Sequence, residues 1–316
     1  MSAAVPQLRA RVPPASAPAP SVLTVRGLSK SYDGRAAVDG IDLDVRRGEI
    51  FAFLGPNGAG KTTTVEILEG YRSRDGGEVE VLGCDPRGGG RAWRSRIGVV
   101  LQTCAVQPEL TVEELLSLYG GYYPAPLSVS ETLELVGLTD ERGLRAGTLS
   151  GGQQRRLDVG LALVGDPELL FLDEPTTGFD PSARHHTWEV VVGLRDIGKT
   201  VFLTTHYMDE AQALADRVAV IAHGRIVAEG TPADLGGRDH APSAVSFMLP
   251  AGVEVGELPA PGAVLRGEHV ELQTRTPTAT VARLAGWAQE RGLELPELEV
   301  RRPTLEEIYL ELTEQG

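Results

Sequence analysis

The sequence predicts an α/β domain on a mixed, mostly parallel core sheet, followed by a small α+β appendage. Three observations predict it. Unbroken apolar runs, Ile50–Leu54 and Leu169–Leu172, have the length and composition of strands buried on both faces. Strands of this kind alternate with helical stretches, which is the chain order of a parallel sheet. Beyond Gly236 the pattern changes to short hairpins and one amphipathic helix.

Residues 1–20 are rich in Ala and Pro and read as a disordered tail, with no apolar stretch of the kind a secretory signal requires. From Val22 the chain reads as strand VLTVRGL, turn SYDGRAA, a half-exposed strand marked by Ile41, Leu43 and Val45, and the buried strand IFAFL that ends at Gly55. A helix start follows, then strands at Glu78–Leu82 and Ile97–Leu101. Residues 102–165 lose strand character: Thr111 and Glu114 form a capping box ahead of EELLSLYG, and LSVSETLELVGL comes next, so a helical subdomain is expected there. Strand character returns in LLFL (169–172) and TVFLTT (200–205), separated by a helix from about Pro181. The hairpin RVAVIAHGRIVAEG supplies an antiparallel edge and closes a first domain, placed at 21–235. For 236–316, a Gly/Pro-rich boundary running to Pro261 contains the strand-like SAVSFML. It is followed by hairpin AVLRGEHVELQT, helix TVARLAGWAQERGL, strand ELEVR, and a final helix capped by Thr304 and Glu307 after Pro303.

Composition narrows the function. Acidic residues outnumber basic ones, 44 to 30, for a net charge of −14, which repels a phosphate backbone and disfavours nucleic acid as a partner. Two cysteines, Cys84 and Cys104, fit neither a disulfide framework nor a paired metal site, and the reducing cytoplasm suits them best. No apolar run approaches the roughly 18 residues that a spanning helix needs. His185, His186 and His223 have no partner at ligand spacing and read as surface or turn residues, and Cys104 reads as an incidental thiol.

The chemistry sits in two places. Gly55, Pro56, Asn57, Gly58, Ala59, Gly60, Lys61 and Thr62, with Thr63 after them, fit G-x-x-x-x-G-K-[ST] between a buried strand and a helix. The glycines let successive N–H groups face one concavity, the helix adds its positive end, Lys61 reaches β and γ phosphates, and the Thr62 hydroxyl is placed for Mg²⁺. Farther on, Asp173 and Glu174 end an apolar strand, and successive strand residues point opposite ways. Asp173 is expected to hold Mg²⁺ through water and Glu174 to polarise the attacking water.

Leu149, Ser150, Gly151, Gly152 and Gln153 precede the Asp173 strand, two glycines and a serine at a helix start. With them the chain resembles the nucleotide-binding subunit of an ATP-binding cassette (ABC) transporter, a P-loop NTPase fold. The resemblance spans residues 22 to about 235 and takes in Tyr32, Gln102, Asp180 and His206 in order. It implies that Tyr32 stacks on adenine, that Gln102 senses Mg²⁺ and the γ-phosphate, and that His206 contacts the γ-phosphate. It also implies that Ser150, Gly151 and Gly152, with Gln153 and Asp180 beside them, complete the ATP site of a second copy in a head-to-tail homodimer. Phe179 departs from the family's usual Leu, a change of packing rather than charge.

The ending from Arg302 to Thr313 is similar to that of ATPases of daunorubicin-resistance-type drug exporters. With no spanning segment in the sequence, an integral membrane permease subunit is expected as a separate partner docked on the helical insertion, with this chain at the cytoplasmic face of the membrane. Two other readings compete. A soluble ABC ATPase acting on DNA or ribosomes is opposed by the single cassette, the lack of a zinc-binding insertion and the acidic balance. A nucleotide switch without turnover is opposed by Glu174, which it would not need.

Overall fold

The computed structural model describes residues 19–101, 106–237 and 242–302, with Thr304, Glu307 and Tyr309, and the chain divides into two compact units between Glu229 and Gly230. Strands of the first unit are β1 (Ser21–Tyr32), β2 (Arg35–Arg46), β3 (Ile50–Leu54), β4 (Gly76–Val81), β5 (Ile97–Val100), β6 (Leu169–Asp173), β7 (Thr200–Thr205), β8 (Arg217–Ala222) and β9 (Arg225–Gly230). Its helices are α1 (Lys61–Leu68), α2 (Arg91–Arg94), α3 (Val112–Gly120), α4 (Val129–Val136), α5 (Gly151–Leu163), α6 (Pro181–Asp196) and α7 (Met208–Leu214). An antiparallel sheet has the order β2-β1-β4, and a six-stranded sheet has the order β5-β6-β7-β3-β8-β9. From β5 to β8 the pairings of the six-stranded sheet are parallel.

One turn differs in scale from what composition suggests. The turn expected over SYDGRAA is only Asp33-Gly34, because Ser31 and Tyr32 pair with Ala36 and Arg35. Both turn residues have positive φ, 49° and 78°, which matches the twist of a two-residue hairpin and lets the ladder run to the tip. His223-Gly224 joins β8 to β9 in the same way, with φ of 49° and 78°. That turn accounts for His223.

Aromatic packing holds the central strands together. The ring of Phe202 on β7 lies 5.6 Å from Phe51 and 5.7 Å from Phe53, both on β3, and 5.7 Å from Phe171 on β6. All four rings are buried, and each contributes on the order of 1.5–3 kcal/mol, so slipping one strand would forfeit several such terms. Between β5 and β6 the chain is helical, α3 to α5. Thr111 and Ser128 start α3 and α4 with reciprocal capping boxes to Glu114 and Glu131. Gln102 and Cys104, expected at the head of this stretch, lie outside the described residues.

The second unit carries β10 (Ser243–Met248), β11 (Val264–Arg266), β12 (His269–Thr274), α8 (Pro277–Glu290) and β13 (Glu299–Arg301), with antiparallel sheet order β11-β12-β10-β13. SAVSFML, which reads as part of a boundary, is the inner strand β10. Val245 and Phe247 alternate onto one face and pack with Val270, Leu272, Leu284 and Trp287. Past β13, Thr304 and Glu307 exchange capping hydrogen bonds of 3.1 and 2.8 Å, while Leu305, Ile308 and Leu312 lie outside the described residues.

Candidate active site

Register in the parallel sheet decides which residues meet at its edge. Leu54 pairs with Thr205, and Asp173 pairs with Thr204, so β3, β6 and β7 end level. The phosphate loop, the Asp173-Glu174 pair and His206 therefore emerge side by side at the carboxyl ends of the strands, where open α/β sheets bind ligands.

These ends surround a cavity of about 480 Å³, lined by Asn57, Gly58, Gly60, Lys61, Thr62 and Thr63 on one side and Asp173, Glu174, Thr177 and His206 on the other, with Ala37 at its margin. Gly55, Pro56 and Ala59 are not among the lining residues, with Pro56 exposed and the other two buried. A Cβ on Gly55 would come 2.5 Å from the Ile221 carbonyl, and Ala59 is buried. Gly60 must be glycine: its φ is +108°, and a Cβ there would come 2.3 Å from the Ala37 carbonyl. Lys61, the first residue of α1, is 6 % exposed, and its Nζ donates to the carbonyls of Gly55 at 2.7 Å and Pro56 at 3.2 Å. Burial pulls its pKa below the usual lysine value, and the nearby Glu174 and Asp173 charges oppose that shift.

Glu174 is the hub of the charged contacts. Its Oε1 lies 3.8 Å from Lys61 Nζ and 3.2 Å from His206 Nδ1, and its Oε2 accepts a hydrogen bond from Thr177 Oγ1 at 3.1 Å. Its φ is +45°, a left-handed conformation that costs an L residue about 1–2 kcal/mol and persists only where the surroundings hold it. The Glu174 N–H donates to the Thr204 carbonyl and hydroxyl at 3.1 Å each, and that hydroxyl donates to Asp173 Oδ1.

A hydroxyl (Thr62) and a carboxylate (Asp173) beside a cradle of backbone N–H groups form a hard-oxygen donor set that suits Mg²⁺ carried in on a polyphosphate. No cluster of three or more His, Cys, Asp or Glu able to cage a metal occurs among the described residues.

The signature residues lie elsewhere. Ser150 caps α5 in a capping box with Gln153: Gln153 N–H donates to Ser150 Oγ at 3.3 Å, and Ser150 N–H donates to Gln153 Oε1 at 2.9 Å. Asp180 caps α6, accepting from Ala183 N–H at 2.9 Å. Both helix starts face a second cavity of about 350 Å³, lined by Ser150, Gly151, Gly152, Gln153, Asp180 and neighbours that include Phe179 and His186. Tyr32 belongs to neither lining; its ring sits under Lys30 and Arg72, with the cations 5.5 and 5.4 Å from its centroid. Thr177, Thr204 and Arg155 make contacts at the acidic strand end that the sequence pattern does not announce. Thr177 stands three residues after Glu174 in a turn and was open to inference, whereas Thr204 reaches the site only through strand pairing.

This fold, with its phosphate loop and acidic strand end, defines a P-loop nucleotide hydrolase. The ABC transporter family model matches residues 38–177, and a model for the C-terminal domain of ABC transporter domain-containing proteins matches 243–304. The chain is 40 % identical to daunorubicin resistance ATP-binding protein DrrA3 of Streptomyces coeruleorubidus, over 93 % of its own length and 96 % of the relative's. It is 38 % identical to Nod factor export ATP-binding protein I of Rhizobium johnstonii, over 95 % and 97 %. Among solved structures, an ATP-binding cassette of an ABC transporter in its ADP conformation superposes with a TM-score of 0.61 at 28 % identity, covering 67 % of this chain and 91 % of that one. The chain belongs to the ABC transporter ATP-binding family. It is an ATP-binding, ATP-hydrolysing subunit of a transporter.

Proposed function

We propose that this chain drives an ABC exporter that expels a drug or other small hydrophobic compound through a separate membrane permease, with two copies closing head-to-tail on two MgATP. One observation carries the reading: the phosphate-loop cavity and the signature cavity are separate linings of a single chain. In the proposed dimer, a nucleotide held in one is completed by the other cavity of a second copy. No helix among the described residues is long and apolar enough to cross a membrane. A membrane partner, with this chain at its cytoplasmic face, is part of the proposal and is supported by membership of the ABC transporter family and by relatives named as ATP-binding proteins of resistance and export. Drug as the cargo class rests on the names of the resistance-type relatives.

Within each site, Lys61 and the loop N–H groups hold the β and γ phosphates, and the loop's backbone from Gly55 through Ala59 keeps Lys61 aimed. Thr62 and Asp173 would hold Mg²⁺, joined by Gln102 as the family resemblance implies, and the ion would supply charge neutralisation at the phosphates. Glu174 takes the proton of the attacking water, and His206, which meets Glu174 at 3.2 Å, contacts the γ-phosphate and orients that carboxylate. Tyr32 stacks on the base. Thr63 adds a hydroxyl at the phosphate side, while Ser150, Gly151, Gly152, Gln153 and Asp180 offer two helix N-termini to the partner's nucleotide.

Drug-sensitive cells that express the chain with its membrane subunit should accumulate less of a fluorescent anthracycline, and Lys61→Ala should restore accumulation. Equal accumulation with and without the intact pair would remove drug efflux as the function.

A further inference from the structure

Arg155 is 6 % exposed, on the helix that begins with the signature residues, and its guanidinium points at backbone carbonyls rather than at solvent. Nε donates to Pro175 O at 3.1 Å, an Nη donates to Asp173 O at 2.8 Å, and the other Nη donates to Leu101 O at the end of β5. Asp158 Oδ2, one turn along, lies 3.8 Å away as its counter-charge. Burying a permanently charged group is costly unless its donors are used, and a Leu or Met would fill the space without that cost. The fork is aimed at carbonyls on either side of Glu174.

That placement matches a mechanical need. Glu174 sits at φ +45°, and a left-handed L residue reverts unless its flanking peptides are held. The peptide before Glu174 is held at its N–H by Thr204 and at its C=O by Arg155, and the Pro175 carbonyl after it is held by Arg155 again. Pro175 fixes its own φ through its ring. Remove the fork, and the segment keeps the Thr204 bonds and those from Thr177, whose N–H donates to the Glu174 carbonyl at 3.3 Å and whose hydroxyl donates to Glu174 Oε2, but it loses the brace on the carbonyls of Asp173 and Pro175.

We propose that Arg155 is a positioning residue for hydrolysis: it braces Asp173 through Pro175 so that Glu174 keeps its left-handed backbone and its carboxylate stays on the phosphate-loop cavity. The inference rests on the reading of Glu174 as the group that activates water. Because Arg155 rides on α5, it also ties the helix that carries the signature residues to this chain's own acidic pair.

Full-length Arg155→Lys and Arg155→Met, each alone and combined with Glu174→Gln, test it. Lys keeps the charge but cannot bridge three carbonyls as a planar fork can. Alone, each should lower kcat by about 10- to 100-fold while affinity for a fluorescent ATP analogue changes by less than about threefold. Combined with Glu174→Gln, neither should lower the residual rate by more than about twofold, since the braced group no longer acts. Amide exchange over residues 173–177 of Arg155→Lys should quicken while the phosphate loop is unaffected. An equal loss in both backgrounds, a loss of affinity that matches the loss of kcat, unchanged exchange, or a kcat within twofold of the parent would each overturn the proposal. Should Arg155→Met fail to fold, Arg155→Lys carries the test alone. If Glu174→Gln by itself leaves turnover intact, the general-base reading fails, and that result is distinct from any result at Arg155.

Discussion

The two cavities of the first unit handle charge in opposite ways. Around the phosphate loop, Lys61, Asp173, Glu174 and His206 crowd together, Glu174 on a strained backbone, with Lys61 and His206 both meeting the Glu174 carboxylate and the Thr204 hydroxyl meeting Asp173. Around the signature residues the surface is made of helix starts whose caps are already satisfied, Ser150 by Gln153 and Asp180 by Ala183. The first arrangement can do chemistry. The second suits an anion, because it presents two helix N-termini and its carboxylate, Asp180, is engaged as the cap of α6. Under the proposed head-to-tail pairing, one chain would carry an active half and a complementary half, and the contrast gives testable expectations.

The largest effect is expected at Glu174. Glu174→Gln keeps shape and removes the charge that accepts the water's proton, so hydrolysis should fall by roughly 10²- to 10⁴-fold with ATP affinity little altered, as steady-state turnover and nucleotide titration would report. Turnover near that of the parent would move the chemistry out of this cavity. Lys61→Ala removes the cation of the cradle, and since a charge-assisted hydrogen bond contributes about 1.5–3 kcal/mol, affinity should weaken by on the order of 10- to 100-fold. Binding within twofold of the parent would contradict it.

Tyr32→Ala tests how far the active half extends, since Tyr32 lies outside the lining and under two cations. Loss of about 1–3 kcal/mol of stacking should weaken ATP but leave tripolyphosphate binding intact. Equal weakening of both ligands would make Tyr32 a support for the hairpin instead. The smallest effect concerns Glu69 at the end of α1, 5 % exposed, whose pKa burial raises from 4.5 to about 8, with Asp173 and Glu66 adding to the shift. Below the lower value both states are protonated; between the two, only the folded chain keeps the proton, so stability declines as pH rises through that window. Without Mg²⁺ or nucleotide, Glu69→Gln should flatten the fall in thermal midpoint from pH 5 to 8, and a slope equal to the parent's would refute the assignment.

Much of the active half is legible in the sequence because it depends on local order. The glycine spacing, the apolar run before Gly55 and the acids that end LLFL are neighbours in the chain, and parallel register brings their strand ends level. The Ser150 helix start is legible for the same reason, through its Gln three residues on. What escapes is set by long-range packing. Thr204 meets Asp173 and Arg155 meets Pro175 across 31 and 20 residues, with no spacing to announce either. The short helices α2 and α7 carry too few turns for a hydrophobic period. Glu174's left-handed backbone has no composition signal, since Glu is not a turn residue.

The claim that the halves complete each other is tested most directly by sedimentation of Glu174→Gln with ATP, with ADP, and with ATP after Ser150→Arg is added. Trapped ATP should convert monomer to dimer, ADP should not, and the arginine should restore the monomer by filling the space meant for the partner's phosphate. A monomer under all three conditions, with ATP demonstrably bound, would contradict the account.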